Sequence, residues 1–356
     1  MLKEWMQSLS DIPPWQYAPI LMRRMLVAVS TKIIDGYTKY LRLDETLGPF
    51  TVAEYDQVWK QILAYGLYMQ GAHFLGCKDL ETTFPRVRKV DFVEWLSAES
   101  EVGHAQVQEM VDLLVVDTDR CPDGALGIFA QIDESIIPMS SLIVPTSPHR
   151  NIIARLQLDP SRFGRVGELL GRAGEEALSQ LLRERMDPSV RVATRVPVRR
   201  GDGTPAGDLD VVLFAPDELL VVVCELKWGI EVDGNVEVMR AEWALSEKVK
   251  RTESLRKGII SGDLVVQWPK SWPVAQGCEW RWAVLSRDVL PTRLNRAKGV
   301  PVSSYQLLSY SLPKGATAEA LWERITVPPI PPASIRTRRW DRIHFGDLRI
   351  EIETVA

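Results

Sequence analysis

The sequence predicts a mainly helical N-terminal domain, residues 1–150, followed by an α/β domain, residues 151–356, with a mixed central sheet between helices. Three observations predict this organisation. Apolar residues recur at helical spacing up to about residue 115, whereas strand and helix patterns alternate after residue 160. The first domain carries 13 Lys and Arg against 20 Asp and Glu, and the second carries 30 against 27. A chain of 356 residues is also longer than one ordinary core usually organises.

The composition excludes several classes of protein. Hydrophobic residues at 46% and charged residues at 25% match soluble globular chains and leave no room for global disorder or a fibrous repeat. The best apolar run, 219–224, stops at Glu225 and is too short to span a membrane. Glu4 and Asp11 lie where a signal peptide would be apolar. We therefore expect a cytoplasmic protein without a membrane partner.

Cysteine and histidine are sparse and scattered. The four cysteines form no CxxC pair, and the four histidines are equally far apart. This spacing argues against a zinc module and favours reduced cysteines in a reducing compartment.

The N-terminal domain shows helical patterns without a catalytic constellation. Three helical regions are predicted within residues 16–41, 51–75 and 91–116. Thr51 is predicted to cap the second helix, with Glu54 completing a capping box. Residues 115–150 suit short strands or a connecting segment. An acidic domain of this kind is expected to bind a protein partner or to form a homo-oligomer.

The C-terminal domain alternates strands and helices. A helix over 168–186 ends at Asp187-Pro188, where proline cannot continue it. The further predicted elements are strands at 190–200, 209–214 and 219–228, a turn at 215–218, a helix at 236–257, and strands at 280–288 and 300–308.

The hairpin of the second and third strands carries the charged residues that matter most. If the turn is 215–218, Phe214 opposes Leu219, and the register sets Asp208 opposite Glu225. Side-chain alternation then sends four charged groups to one face: Asp208, Asp210, Glu225 and Lys227. Three crowded carboxylates repel one another unless a cation lies among them, and oxygen ligands suit Mg²⁺ or Mn²⁺. The pattern predicts a divalent-metal site.

These residues resemble the PD-(D/E)xK nuclease superfamily. The matching segments are Gly-Asp-Leu-Asp-Val-Val at 207–212, Cys-Glu-Leu-Lys-Trp at 224–228, and a helix with Gly-Arg-Ala-Gly-Glu-Glu at 171–176. The likeness covers roughly residues 165–310 and is nearest to the resolvase-like and transposon-end-cleaving branch. It implies a three-layer α/β/α, restriction-endonuclease-like core. The literal Pro-Asp pair of the family name is absent.

The resemblance also implies roles for individual residues. Asp210 and Glu225 would bind the metal, with Asp208 as a further ligand and the alternative first acid. Lys227 would orient or help deprotonate water and steady the developing charge, and Glu175 would be an auxiliary ligand in the catalytic site. The implied activity is metal-dependent phosphodiester hydrolysis, with DNA the expected substrate, in genome defence against phage, transposition or repair.

Basic residues flank the proposed site on both sides. Arg195, Arg199 and Arg200 precede the hairpin, and Lys248, Lys250 and Arg251 follow it on a helix, so both groups are candidates to bind nucleic-acid phosphates. Six tryptophans could stack on unpaired bases, although core packing is the favoured interpretation: Trp228, Trp243, Trp268, Trp272, Trp280 and Trp282.

Two other interpretations stay open at this point. The fold could be nuclease-like but catalytically inactive, serving as a nucleic-acid-binding or scaffolding subunit. Alternatively, the Glu-Leu-Lys hairpin is coincidental and the protein is an unrelated α/β interaction protein.

Overall fold

A computed structural model describes residues 20–36, 41–74, 86–116, 127–157, 160–229, 235–270, 272, 277–288, 299–327, 342–345 and 348–351. The chain forms two compact units that divide between Leu170 and Gly171, whereas composition placed the boundary at residue 150. No helix among the described residues has both the length and the apolar character needed to cross a bilayer.

Unit 1 combines helices with a small antiparallel sheet. Its helices are α1 (Ile20–Gly36), α2 (Val52–Phe74), α3 (Lys89–Ser100), α4 (His104–Leu114), α5 (Ser140–Ile143) and α6 (Pro148–Leu156). Its strands are β1 (Val87–Arg88), β2 (Phe129–Ile132) and β3 (Ser135–Pro138), in the order β1-β3-β2. Of the two alternatives for residues 115–150, short strands are present, and the described residues before them are mainly helical.

The start of α2 follows the predicted capping box. The Thr51 N–H donates to Glu54 Oε2 at 2.7 Å, and the Glu54 N–H donates to Thr51 Oγ1 at 3.2 Å. The third predicted helical region is two helices instead of one. Glu101 ends α3 with a left-handed φ of 60°, which breaks the helical hydrogen bonding before α4 begins.

The core of unit 1 contains a buried polar pair. Phe50, Tyr55 and Trp59 lie among the largest fully buried side chains. Beside them, His149 Nε2 of α6 lies 2.6 Å from Asp56 Oδ1 of α2, and both residues are buried. Each group satisfies the other, as buried polar groups require.

Unit 2 is built around one six-stranded mixed sheet. Its helices are α7 (Pro160–Arg185), which begins before the unit boundary, α8 (Asn235–Ser261), α9 (Tyr305–Ser311) and α10 (Ala318–Thr326). The sheet strands are β4 (Arg191–Arg200), β5 (Pro205–Ala215), β6 (Leu220–Lys227), β7 (Leu264–Val266), β8 (Glu279–Ser286) and β9 (Val302–Ser304). A separate hairpin joins β10 (Arg342–Phe345) and β11 (Leu348–Glu351).

The sheet order is β7-β4-β5-β6-β8-β9. Strands β7, β4, β5 and β6 pair antiparallel, and β6, β8 and β9 pair parallel. Helix α8 lies between β6 and β8 in the chain, which is the crossover that a parallel pair requires. The predicted mixed α/β architecture is therefore confirmed.

Helices cover both faces of this sheet. Leu178 and Leu182 of α7 pack on one face with residues of α9 and α10. Leu245 and Val249 of α8 pack on the other face. Burial on both faces explains why β6 is apolar from Leu220 to Cys224 without alternation.

The strand predicted at 300–308 is wrong beyond Ser304. The Ser304 side chain accepts a hydrogen bond from the Leu307 N–H at 3.2 Å and caps α9, so the chain turns helical there. Strand β8 confirms the element predicted at 280–288, and α8 confirms the helix predicted at 236–257.

Candidate active site

The regular ladder of the β5–β6 hairpin stops just before the two acidic residues. The last pair of this ladder is Val211 with Cys224, and one further step in that register places Asp210 opposite Glu225. The predicted register, with Asp208 opposite Glu225, is wrong by two residues. A shift of two keeps each side chain on its predicted face, so Asp210 and Glu225 still share a side of the hairpin.

The loop accounts for the shift. Ala215 pairs with Leu220, so the connection comprises residues 216–219 instead of 215–218. Leu219 has a left-handed φ of 48°, and its N–H donates to the Pro216 carbonyl at 3.2 Å. Leu219 was predicted to begin the strand, but the turn needs a left-handed residue there, so Leu219 belongs to the turn.

Side chains replace the main-chain ladder at Asp210 and Glu225. The Asp210 N–H donates to Glu225 Oε1 at 3.3 Å, and the Leu226 N–H donates to Asp210 Oδ2 at 2.6 Å. Each carboxylate therefore reaches across to the other strand. These exchanges hold the two acidic groups side by side at the end of the hairpin.

Lys248 of α8 lies between the two carboxylates. Its Nζ is 2.8 Å from Asp210 Oδ2 and 2.8 Å from Glu225 Oε2. Only 14% of the Lys248 side chain and 1% of the Glu225 side chain are exposed. The sequence predicted Lys248 as a phosphate contact, but the structure places it against the acidic pair.

The acidic pair has more negative charge than Lys248 can neutralise. Burial, and then the charge of Asp210, raise the pKa of Glu225. Burial lowers the pKa of Lys248, but the charges of Glu225 and Asp210 outweigh it, and the net pKa is raised. Two carboxylates against one ammonium leave an excess negative charge that attracts a further cation or a proton.

Lys227 lies two residues beyond Glu225, at the end of β6. It makes no hydrogen bond or ion pair with another residue in the described part of the chain, and the residue is exposed. Desolvation of the ammonium group lowers the pKa of Lys227, and the charge of Lys248 lowers it further. The Lys227 ammonium thus lies close enough to Lys248 to feel its charge, two residues along β6 from Glu225.

Asp208 does not join this group, which corrects the predicted convergence of three carboxylates. Leu209 packs with Val212 on the α8 face, whereas Val211 packs on the α7 face, so alternation breaks between 209 and 211. With Leu209 toward α8, Asp208 turns to the opposite side of the sheet from Asp210. It forms no hydrogen bond or ion pair with any residue that the structure describes.

The break in alternation coincides with a left-handed residue in β4. Thr194 pairs with Val211 and Val196 with Leu209, and Arg195 between them has a φ of 53°. This conformation costs a non-glycine residue roughly 1–2 kcal/mol. Strain of this kind persists only where surrounding contacts maintain it.

An ion pair with Glu175 maintains the left-handed conformation of Arg195. Arg195 Nε donates to Glu175 Oε2 at 2.5 Å, and Nη2 donates to Oε1 at 3.2 Å. Burial raises the pKa of Glu175, and the Arg195 hydrogen bonds oppose that effect. The charges of Asp210 and Asp208 also act on Glu175, which places α7 near the acidic pair. Arg195, predicted to bind phosphate, is engaged by a carboxylate.

Close packing positions α7 at the end of β6. A Cβ on Gly174 would overlap the Trp228 ring, so only glycine allows this approach. Trp228 also makes an edge-on contact with Tyr305, with ring centroids 5.1 Å apart. Trp228 is half-buried, whereas Trp243 is 70% exposed, so the core interpretation is wrong for Trp243. Four of the other tryptophans contact aromatic neighbours: Trp268, Trp272, Trp280 and Trp282.

The remaining basic candidates lie at the surface. Arg199 and Arg200 donate to the β4–β5 turn, and Lys250 pairs with Glu247 at 2.7 Å. The guanidinium of Arg251 lies against Gly207, 3.5 Å from where a Cβ would be. Arg251 is therefore a surface cation of α8 that lies against the strand leading to Asp210.

Sequence reasoning missed the role of Lys248, although a signal existed. Leu245, Val249, Thr252 and Leu255 form the buried stripe of α8. Lys248 lies three residues after Leu245 and four before Thr252, on that stripe. A lysine on the apolar face of a helix predicts a buried carboxylate partner.

Two carboxylates fit a magnesium-type site, because Mg²⁺ is often held by one or two carboxylates with water and substrate phosphate completing the shell. Within the described ranges, no group of three or more His, Cys, Asp or Glu side chains is arranged to hold a metal ion. A metal site here would therefore consist of Asp210 and Glu225.

Comparison with protein-family models, curated proteins and solved structures finds no match to this chain. What the site can do is inferred from its own residues.

Proposed function

We propose that this protein is a divalent-metal-dependent nuclease of the PD-(D/E)xK type, with a restriction-endonuclease-like core and DNA as its substrate. One observation carries the proposal. Asp210 and Glu225 lie side by side at the end of a hairpin, with Lys227 two residues beyond on the same strand. The six-stranded sheet with helices on both faces is compatible with such a core.

Asp210 and Glu225 would hold the metal, Mg²⁺ or Mn²⁺. When bound, the cation supplies Lewis acidity and charge neutralisation for the phosphoryl group. The main-chain hydrogen bonds to both carboxylates fix their oxygens before substrate arrives, which limits the reorganisation that catalysis requires.

Lys227 would hold positive charge beside the phosphoryl group. Its ammonium has no carboxylate partner in the described part of the chain, so it is free to face an anion. Glu175 would act as a positioning residue, because its bidentate contact with Arg195 supports the strand conformation opposite Asp210.

The substrate backbone would be bound by exposed cations near the site. Arg251 on α8 lies against Gly207 of β5, and Arg199, Arg200 and Lys250 are further exposed cations. Such contacts neutralise phosphates without reading sequence. A role for unit 1 in partner binding or self-association stays a prediction.

A second function is favoured by one specific contact. Lys248 neutralises part of the acidic pair without a metal, as expected if the cluster were structural. The protein would then be a nuclease-like subunit that binds nucleic acid or serves as a scaffold without cleaving.

Cleavage assays distinguish the two functions. Linear, circular and single-stranded DNA and RNA are incubated with the protein and Mg²⁺ or Mn²⁺. We expect cleavage by the wild type and its loss in Glu225→Gln and Lys227→Met. Two variants of exposed residues, Glu323→Gln and Lys314→Met, serve as matched controls and should retain activity. Equal cleavage by Glu225→Gln and the wild type would reject the assignment, whereas binding without any cleavage would favour the second function.

A further inference from the structure

We infer that Lys248 is a positioning residue that occupies the cation position of the acidic pair and competes with a divalent metal for it. The inference rests on the proposed function for the identity of the pair as a metal site. It adds that the ammonium must leave these oxygens before a divalent cation can bind them.

The geometry of Lys248 resembles that of a bridging cation. Its Nζ lies 2.8 Å from one oxygen of Asp210 and 2.8 Å from one oxygen of Glu225, so it bridges residues of two strands. The side chain comes from the buried stripe of α8, next to Val249 and four residues before the buried Thr252. Packing of this helix on the sheet directs Lys248 into the pair.

Simultaneous occupancy is electrostatically unfavourable. Mg²⁺ binds carboxylate oxygens at roughly 2.0–2.1 Å. A divalent ion on the two oxygens that Lys248 contacts would lie within a few ångströms of Nζ, where like charges in a poorly hydrated site repel strongly. Binding of the metal and release of the ammonium are therefore linked, and each weakens the other by the same factor.

The competition has two consequences. Without metal, Lys248 keeps the carboxylates together and offsets much of their repulsion. With metal, the affinity is lower than the two carboxylates alone would provide, because the ammonium contact must first be broken. Removing the ammonium should therefore destabilise the metal-free protein and tighten metal binding.

The test uses the full-length protein after treatment with EDTA. Mn²⁺ affinity is measured by isothermal titration calorimetry, and unfolding temperature is measured with and without Mn²⁺. We expect Lys248→Met to bind Mn²⁺ more tightly than the wild type, by between about 5-fold and 150-fold. Its unfolding temperature should be lower in EDTA and should rise more on adding Mn²⁺. Lys257→Met, an exposed position on the same helix, should match the wild type.

Each outcome decides between the possibilities. Equal or weaker Mn²⁺ binding by folded Lys248→Met overturns the competition but leaves the metal site in place. Absence of Mn²⁺ binding in both proteins overturns the metal site and the competition together. Should Lys248→Met fail to fold in EDTA, recovery of a cooperative unfolding transition with Mn²⁺ supports the inference, and failure of Mn²⁺ to rescue it counts against it. Binding should disappear when Glu225→Gln is added to Lys248→Met.

Discussion

Arg195 lies opposite Asp210 between two regular pairs of the β4–β5 ladder, and it has a left-handed backbone where its neighbours are extended. Inside the described strands, it is the one non-glycine residue with positive φ. The distortion occurs at the point where β5 changes the face that its side chains present. The backbone of β4 and the position of Asp210 are thus coupled.

Two substitutions of Arg195 separate the backbone effect from the ion pair. Both Arg195→Ala and Arg195→Gly leave the buried Glu175 without its bidentate partner, so both should lower the free energy of unfolding, by about 2 kcal/mol for alanine. Glycine tolerates the left-handed conformation, so Arg195→Gly should be more stable than Arg195→Ala by about 1 kcal/mol. Urea unfolding measures both, and equal stabilities would contradict the backbone argument.

Gly174→Ala should destabilise unit 2, because its Cβ overlaps the Trp228 ring. Overpacking of this kind costs about 1–3 kcal/mol. The shift of Trp228 should also reduce cleavage by disturbing the end of β6. Gly171→Ala on the same helix meets open space and should be neutral or stabilising by up to about 1 kcal/mol. Thermal unfolding of the two variants gives the comparison, and a Gly174 variant as stable as the Gly171 variant would refute the close approach.

Glu225→Gln should abolish cleavage without lowering stability in EDTA. The substitution removes the excess negative charge that burial and Asp210 make unfavourable, so the metal-free protein should be as stable as the wild type or up to about 2 kcal/mol more stable. Chemical denaturation in EDTA measures this difference. A large loss of stability would mean that Glu225 serves mainly to hold the fold together.

Cys224 should resist alkylation in the native state. It is buried in β6, and burial, with a smaller contribution from Glu225, raises its pKa to about 12. The folded protein then keeps a proton that the unfolded chain releases, so this group makes stability fall as pH rises from about 9 toward about 12. Iodoacetamide labelling at pH 8 with peptide mass spectrometry should modify the partly exposed Cys278 before Cys224. Equal labelling of the two would contradict this prediction.

Asp56 and His149 should be a main determinant of the stability of unit 1. Asp56→Ala leaves a buried imidazole without its partner and should cost about 1–3 kcal/mol. A double-mutant cycle with His149→Ala should show strong coupling. The exposed Glu247–Lys250 pair in α8 provides the comparison and should couple by less than about 0.5 kcal/mol. Similar coupling in both pairs would contradict the role of burial.

Local patterns predicted most secondary structure correctly. The capping box at Thr51, helix α8 and strands β4, β6 and β8 follow from residue spacing and from apolar runs that need no knowledge of distant partners. The end of β9 was predicted too late because the sequence around Ser304 is typical of a strand. The capping of α9 by Ser304 depends on the helix that follows.

The candidate site was predictable only in part. Asp210, Glu225 and Lys227 were found because charged residues beside buried strands are unusual. Their register was not, since a loop containing the left-handed Leu219 displaced the hairpin by two residues. Asp208 does not lie with Asp210 and Glu225. A distortion at Arg195, in the neighbouring strand β4, changes the face of the sheet toward which Asp208 points.

By itself, the sequence determined a charged hairpin embedded in an α/β domain, because strand alternation and apolar runs are local properties of the chain. The tertiary structure alone decided which cation meets the carboxylates. Lys248 is distant from Asp210 in sequence, and only the packing of α8 on the sheet brings its ammonium to those oxygens. The electrostatic interaction between two charged groups depends on their distance in the folded protein. Residue spacing along one strand does not give that distance for groups on other elements.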